Sequence, residues 1–333
     1  MDFDLSADQI ALRDAARELL DARSSSERVR KLIAGDDTYD TELWADMAEQ
    51  GWLAIDVAED EGGLGLGFVE VAVLSEEVGR HVSPAPYLST VLARKALAGT
   101  EWAERLAAGD AIGAIAWGDG VVVDAAVADV LVVVGADAVT AYDVGADKPA
   151  IEAAMDLTRP VSRVAPPSDG QQVGDATLAT AMLDCGATAY AAELLGAAQR
   201  MLEATVDYAK VREQFGRPIG SFQAVKHRCA DMLVDVEGMR SAVWYAAWAI
   251  DAEAGDRSLA ASTAKAWASD AGMRVMNSAL QVHGGIGFTW EHDLHLYLKR
   301  AHLDSMLFGD ATYHRERIAG LLKQRIESGS GVF

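Results

Sequence analysis

The chain of 333 residues is half hydrophobic and 24% charged, long enough for about two ordinary domains and too apolar to remain disordered. Its 29 Lys and Arg face 51 Asp and Glu, a formal charge of −22, which excludes nucleic acid and anionic membrane surfaces as general partners. Cys185 and Cys229 make neither a disulfide framework nor a zinc site unaided. With no basic-apolar leader and no run of about 18 apolar residues, a cytoplasmic protein is expected.

Residues 1–110 read as a helical domain. Ser6 with Gln9 forms a capping box ahead of Ile10, Leu12, Leu19 and Leu20. Leu43, Trp44 and Met47 mark a second amphipathic stretch that stops at Gly51. A third carries Val71, Leu74 and Val78, with a stop at Gly79. Between them, Gly62, Gly63, Gly65 and Gly67 read as a structural turn, because no Lys-Ser/Thr follows to make a phosphate loop.

Residues 111–175 change texture. AIGAIAW, GVVVDAAVADVLVVVG and AVTAYDV are β-branched runs split by Gly and Asp, and read as strands. MDLTRPVSRVAPPSDG reads as a last strand and a linker punctuated by Pro160, Pro166 and Pro167. This reduced β-domain is short for an independent unit. Residues 176–333 then return to helical spacing in four stretches: Tyr190 to Tyr208, Val225 to Ile250, Ala264 to Val282 and Leu294 to Leu307. Short connections argue for an antiparallel four-helix bundle, ending in the low-complexity tail SGSGVF.

Two segments of the bundle differ from ordinary core helix. KVREQFGRPIGSFQAVKH (210–227) gathers four basic residues ahead of His227, the local field that an anionic ligand needs in so acidic a chain. Within it Arg212 is a bidentate donor for phosphate and Gln223 a neutral donor near a helix start. QVHGGIGFTWEHD (281–293) pairs glycines after a helix, where a backbone can approach a ligand or simply cap the helix. His292, His295 and His302 lack the Glu-x-x-His pattern of a metal site. Cys229 falls on an apolar stripe and reads as core, and Tyr313-His314-Arg315 as a solvated helix face or subunit contact.

Taken together and in order, Arg-x-x-Phe-Gly-x-Pro-Ile-x-x-Phe-Gln and Gln-x-x-Gly-Gly-x-Gly-Phe resemble the acyl-CoA dehydrogenase family. LSADQIALRDAARELL and GWLAIDVAEDEGGLGLGFVEVAVLSEEVGR look like that family's opening helices. The resemblance implies a mainly α fold: an N-terminal helical domain, a middle β-domain and a C-terminal four-helix bundle. It also implies FAD as cofactor, lying across a subunit interface. By that resemblance Arg212, Gln214, Phe222, Gln223, Gln281, Gly284 and Gly285 would hold the adenosine-diphosphate end.

The family's reaction pairs a carboxylate that removes the α-proton of a thioester with hydride transfer to flavin, and the base needs a raised pKa. Counting from Gly284–Gly285, the usual Glu of a Tyr-Glu-Gly turn falls on Phe308, with Gly309 matching the glycine. The alternative base position, on the first bundle helix, falls near Gly186 in DCGAT (184–188). No catalytic residue is therefore expected; Asp310 is a weak candidate and Asp184 a weaker one. The Thr-Glu-Pro…Gly-Ser-Asp run and Trp-Ile-Thr strand that hold the family's flavin ring are also absent, since after Trp117 the next tryptophan is Trp244. The expectation is a short subunit of a heteromeric, actinobacterial, steroid-CoA type of acyl-CoA dehydrogenase. A full-length partner would complete an α2β2 heterotetramer with two FAD and supply the base and most of the acyl-CoA pocket. A flavin monooxygenase or oxidase of the same fold, and a non-catalytic scaffold subunit, are the alternatives.

Overall fold

The computed structural model describes residues 4–118, 120–165 and 169–329. Pro166 and Pro167 of the expected linker lie outside the described residues, as do the last four positions of the tail. Helices come first: α1 (Ala7–Arg23), α2 (Ser26–Ile33), α3 (Thr41–Glu49), α4 (Phe68–His81), α5 (Tyr87–Ala96) and α6 (Glu101–Ala108). The capping box closes as read, the Gln9 amide donating to Ser6 Oγ and the Ser6 amide to Gln9 Oε1. In the glycine-rich turn, a Cβ on Gly63 would lie 2.3 Å from the Val57 carbonyl oxygen, so close chain approach demands glycine there.

Strands follow: β1 (Gly113–Trp117), β2 (Val122–Val123), β3 (Val130–Val134), β4 (Ala138–Asp143), β5 (Val161–Ser162) and β6 (Gln171–Asp175). One sheet has the order β1-β3-β4-β6, with β1 and β3 parallel and the remaining pairs antiparallel; β2 and β5 form a separate antiparallel pair. The edge strand β6 was hidden in the sequence because Gln-Gln-Val-Gly-Asp is polar and largely exposed.

The rest is helical: α7 (Ala176–Val211), α8 (Gln223–Asp251), α9 (Arg257–His283), α10 (Leu294–Met306) and α11 (Ala311–Glu327). The connection between α7 and α8 holds a small hairpin of β7 (Glu213–Gln214) and β8 (Arg217–Pro218). Val236, Met239, Val243 and Ala246 of α8 are buried as their spacing requires, but the first turns of α8 stand clear of the bundle. Cys229 is consequently half-buried beside a groove between α7 and α8, not in the core. His314 also departs from expectation. It is fully buried and faces the turn before α11, while Arg315 is exposed.

α4 does not stop at Gly79 but continues to His81. Gly79 and Gly196 instead mark where α4 crosses α7. A Cβ at 79 would lie 1.8 Å from the Glu193 carbonyl oxygen, and one at 196 would lie 1.7 Å from that of Glu76. Two backbones touch here with no side chain between them, which seats the N-terminal helices against the bundle. Asp251 at the end of α8 adds a second tie, accepting from the Phe68 and Val69 amides at the free start of α4.

Candidate functional site

The turn between α10 and α11 carries Phe308 at φ +54, a conformation that costs a residue with a Cβ roughly 1–2 kcal/mol. Its surroundings leave it little choice. Lys265 on α9, wholly buried, donates through Nζ to the carbonyl oxygens of Asp304 (2.9 Å), Ser305 (3.0 Å) and Gly309 (3.0 Å). It thus satisfies carbonyls that the end of α10 leaves free. Burial pushes the Lys265 ammonium down to about 7 and the His314 imidazole down to about 4. The neutral His314 ring donates from Nε2 to the Phe308 carbonyl oxygen at 2.8 Å.

So held, the Phe308 ring stacks on Tyr190 (5.6 Å between centroids) and Trp117 (6.4 Å), and Tyr313 closes edge-on against Trp117 at 4.8 Å. A Cβ at Gly186 would lie 2.2 Å from Phe308 Cδ1. Residues 186 and 308, far apart in sequence, therefore compete for one space, and the aromatic ring has it. The two weak candidates are engaged elsewhere. Asp310 is exposed and caps α11 by accepting from the Tyr313 amide at 2.8 Å. Asp184 is buried, paired with Arg317 at 2.7 Å and bonded by Ser258 Oγ at 2.6 Å.

Beside this aromatic stack lies a buried charge cluster that joins three parts of the chain. Arg159 Nη2, from the segment between β4 and β5, donates to Glu193 Oε1 on α7 (2.8 Å) and to Asp304 Oδ1 on α10 (2.6 Å). Arg300 donates from Nη1 to the same Glu193 oxygen (2.6 Å) and from Nε to Asp156 Oδ2 (2.9 Å); its Nη2 bonds Thr158 Oγ1. Burial tends to raise the Asp156 pKa, but Arg300 and Arg159 hold it below the usual carboxylate range. Asp304, by contrast, is driven well above that range by burial and by the Glu193 charge. Nearby Asp124, which accepts from Ser89 Oγ at 2.5 Å, is pushed up to about 6 by burial.

The phosphate-site candidates lie at another place, where α7 and α9 end side by side. Tyr208 stacks on His283 at 4.4 Å, and His283 packs on His292 at 4.4 Å. Arg212 caps α7 and Gln281 lies in its last turn on α9; both are exposed. Gln214 is exposed on the hairpin, Phe222 is half-buried with Arg217 over its ring at 4.1 Å, and Gln223 is the exposed first residue of α8. Gly284 takes φ +61 and ψ −137, a region open only to glycine, and a Cβ on either Gly284 or Gly285 would meet nothing within 4 Å. These glycines thus leave an open backbone face, and no internal packing demands them. Among the described residues no group of His, Cys, Asp or Glu could hold a metal ion, and no helix is long and apolar enough to cross a membrane.

Family models match over both helical regions: the acyl-CoA dehydrogenase N-terminal domain at residues 6–107 and the C-terminal domain at residues 176–322. The chain belongs to the acyl-CoA dehydrogenase family. FAD is the cofactor of that family of oxidoreductases. Among curated acyl-CoA dehydrogenases, IpdE2 of Mycolicibacterium smegmatis is 38% identical over 309 residues, spanning 92% of this chain and 96% of that protein. FadE27 of Mycobacterium tuberculosis is 32% identical, spanning 96% and 98%. Among solved structures, the ChsE4-ChsE5 complex from Mycobacterium tuberculosis contains a chain that superposes with a TM-score of 0.86. It is 30% identical and covers 97% of this chain and 99% of that one.

Relative to the acyl-CoA dehydrogenase pattern, sequence reading overlooked several residues now central to the site. Glu193 is the one charge within 185–199 and Lys265 the one charge within 258–269, both alanine-rich stretches, the sign of a group that is buried and must be satisfied. Phe215, at the tip of the hairpin and 92% exposed, is a large apolar side chain left uncovered beside the candidate phosphate site. Tyr190 has the spacing of a core position, and nothing in the sequence announces its stacking on Phe308.

Proposed function

We propose that this chain is the short, base-less subunit of a heteromeric FAD-dependent acyl-CoA dehydrogenase acting on a bulky, steroid-derived CoA thioester. The observation that carries the reading is Phe308 seated on Gly186. One buried aromatic ring blocks both positions from which a family member would present its base. The aromatic stack and the charge cluster lie at the junction between strands and bundle, which supports a flavin ring and acyl pocket supplied by another subunit.

The other half of a flavin site fits better. Arg212, Gln214, Phe222, Gln223 and Gln281 sit at or near the surface and the Gly284–Gly285 backbone is open, residues suited to the diphosphate end of FAD. When bound, FAD supplies the hydride acceptor for α,β-dehydrogenation. The partner subunit would supply the carboxylate, the ring-binding strands and the acyl pocket, in an α2β2 assembly with two FAD. The similarity to a chain of the two-component ChsE4-ChsE5 complex supports a partner. A TM-score of 0.86 at 29% identity to a steroid acyl-CoA dehydrogenase, Tcur3481-Tcur3483, supports the substrate class.

The test is to purify the chain alone and co-expressed with a full-length family member, then count FAD and assay CoA-thioester oxidation. Only the complex should be yellow and active, and Arg212→Ala should deplete its FAD. An active yellow protein from the single chain overturns the reading. Unchanged FAD in the Arg212→Ala complex favours a scaffold with no share in the cofactor site.

A further inference from the structure

The charge cluster contains an imbalance that its geometry can resolve in only a few ways. Glu193 and Asp304 both accept from one nitrogen, Arg159 Nη2, through Glu193 Oε1 and Asp304 Oδ1. Each also has a second oxygen, Glu193 Oε2 and Asp304 Oδ2, that is buried with no hydrogen-bond partner. Both side chains are wholly inaccessible to solvent. Two carboxylates brought together on one guanidinium, each with a dry bare oxygen, would repel at short range in a poorly screened interior.

We propose that Glu193 and Asp304 share one proton through neutral pH, forming an acid pair that locks the Asp156–Arg159 segment onto the bundle. The proton lies on Asp304 and donates toward the free oxygen of Glu193, so both bare oxygens find a partner in one bond. Of the two, Glu193 alone also accepts from Arg300 Nη1. The groups facing the pair are Arg159 and Asp156 from the strand-linking segment, Arg300 from α10, Tyr190 from α7, Lys265 from α9 and Asp124 from beyond β2. Two guanidiniums thus face four carboxyl groups, and a retained proton reduces that excess. The raised pKa of Asp304 points the same way.

The sign of the linkage follows. The unfolded Asp gives up its proton near pH 4, whereas the folded pair keeps it, so folding takes up a proton at neutral pH. The pair's contribution is complete in acid and declines as pH rises, by about tenfold in the folding constant per pH unit, until the pair itself ionises. The idea is independent of whether the chain binds FAD, so its failure would leave the flavin reading untouched.

Infrared spectroscopy of the folded chain in deuterated buffer at neutral pH should show the carbonyl stretch of a protonated, buried carboxylic acid. Asp304→Asn, whose amide can replace the proton as donor, should abolish that band and still fold. Relative to the parent protein it should gain stability as pH rises, because the declining term is gone. Glu193→Gln should also remove the shared-proton signature, and serves if the first variant folds poorly. Absence of the acid band from the parent protein overturns the proposal, as do parallel stability–pH curves for parent and Asp304→Asn.

Discussion

Gly186 and Phe308 provide a quantitative test of whether the two positions share one space. Removing the Phe308 ring leaves a cavity among Tyr190, Trp117 and Gly186, and a buried Phe→Ala change costs about 3–5 kcal/mol. Phe308→Gly loses the same ring, but glycine tolerates φ +54, so it should be less destabilising than Phe308→Ala by about 1 kcal/mol. Gly186→Ala places a methyl 2.2 Å from Phe308 Cδ1, an overlap that side-chain rotation cannot clear while Lys265 and His314 pin the turn. Overpacking of this kind costs about 1–3 kcal/mol. In the double variant Gly186→Ala/Phe308→Gly the methyl enters space already vacated, so its cost should vanish, a coupling of about 1–3 kcal/mol. Urea unfolding of the four proteins, followed by circular dichroism, measures the cycle. Additivity within about 0.5 kcal/mol would refute the claim that the two positions share one space.

Other expectations are simpler. Gly196→Ala drives a methyl to 1.7 Å from the Glu76 carbonyl oxygen, backbone against backbone, and should lower the melting temperature far more than an exposed alanine substitution such as Asn277→Ala. Lys265, held at about 7 when folded against about 10.4 when unfolded, makes the native state release a proton between those values. Stability should therefore climb with pH across that window relative to Lys265→Met, as followed by thermal melts at several pH values. Under the proposed function, Phe308→Glu places a carboxyl at the expected base position but supplies no residues for the flavin ring. The isolated variant should still fail to bleach flavin with any CoA thioester, as monitored by absorbance.

Much of the architecture was legible because it rests on periodicity. The apolar spacing of α8 from Met232 to Ala246 and Ala264, Ala271 and Val275 of α9 coincide with buried faces, although the early α8 positions and Trp267 do not; the Ser6–Gln9 box marks the start of α1. The polar edge strand β6 was not, since an exposed strand gives no alternation to read. The end of α4 was misplaced because Gly79 reads as a stop when α7 is unseen; its reason is a crossing more than 100 residues away in sequence. The site divided along the same line. Local glycine and arginine patterns pointed to Arg212 and Gly284, and counting pointed to Phe308. The ring's seat on Gly186 and the four-carboxyl cluster arise from long-range packing, which no window of sequence contains.

The fit of Phe308 against Gly186 also bears on how such a chain can change over time. An acid introduced at 186 would collide with the ring, and an acid introduced at 308 would meet Tyr190 and Trp117. Neither single replacement fits the packing as it stands. Positions 186 and 308 are thus expected to change together, because a larger side chain at one requires a smaller one at the other.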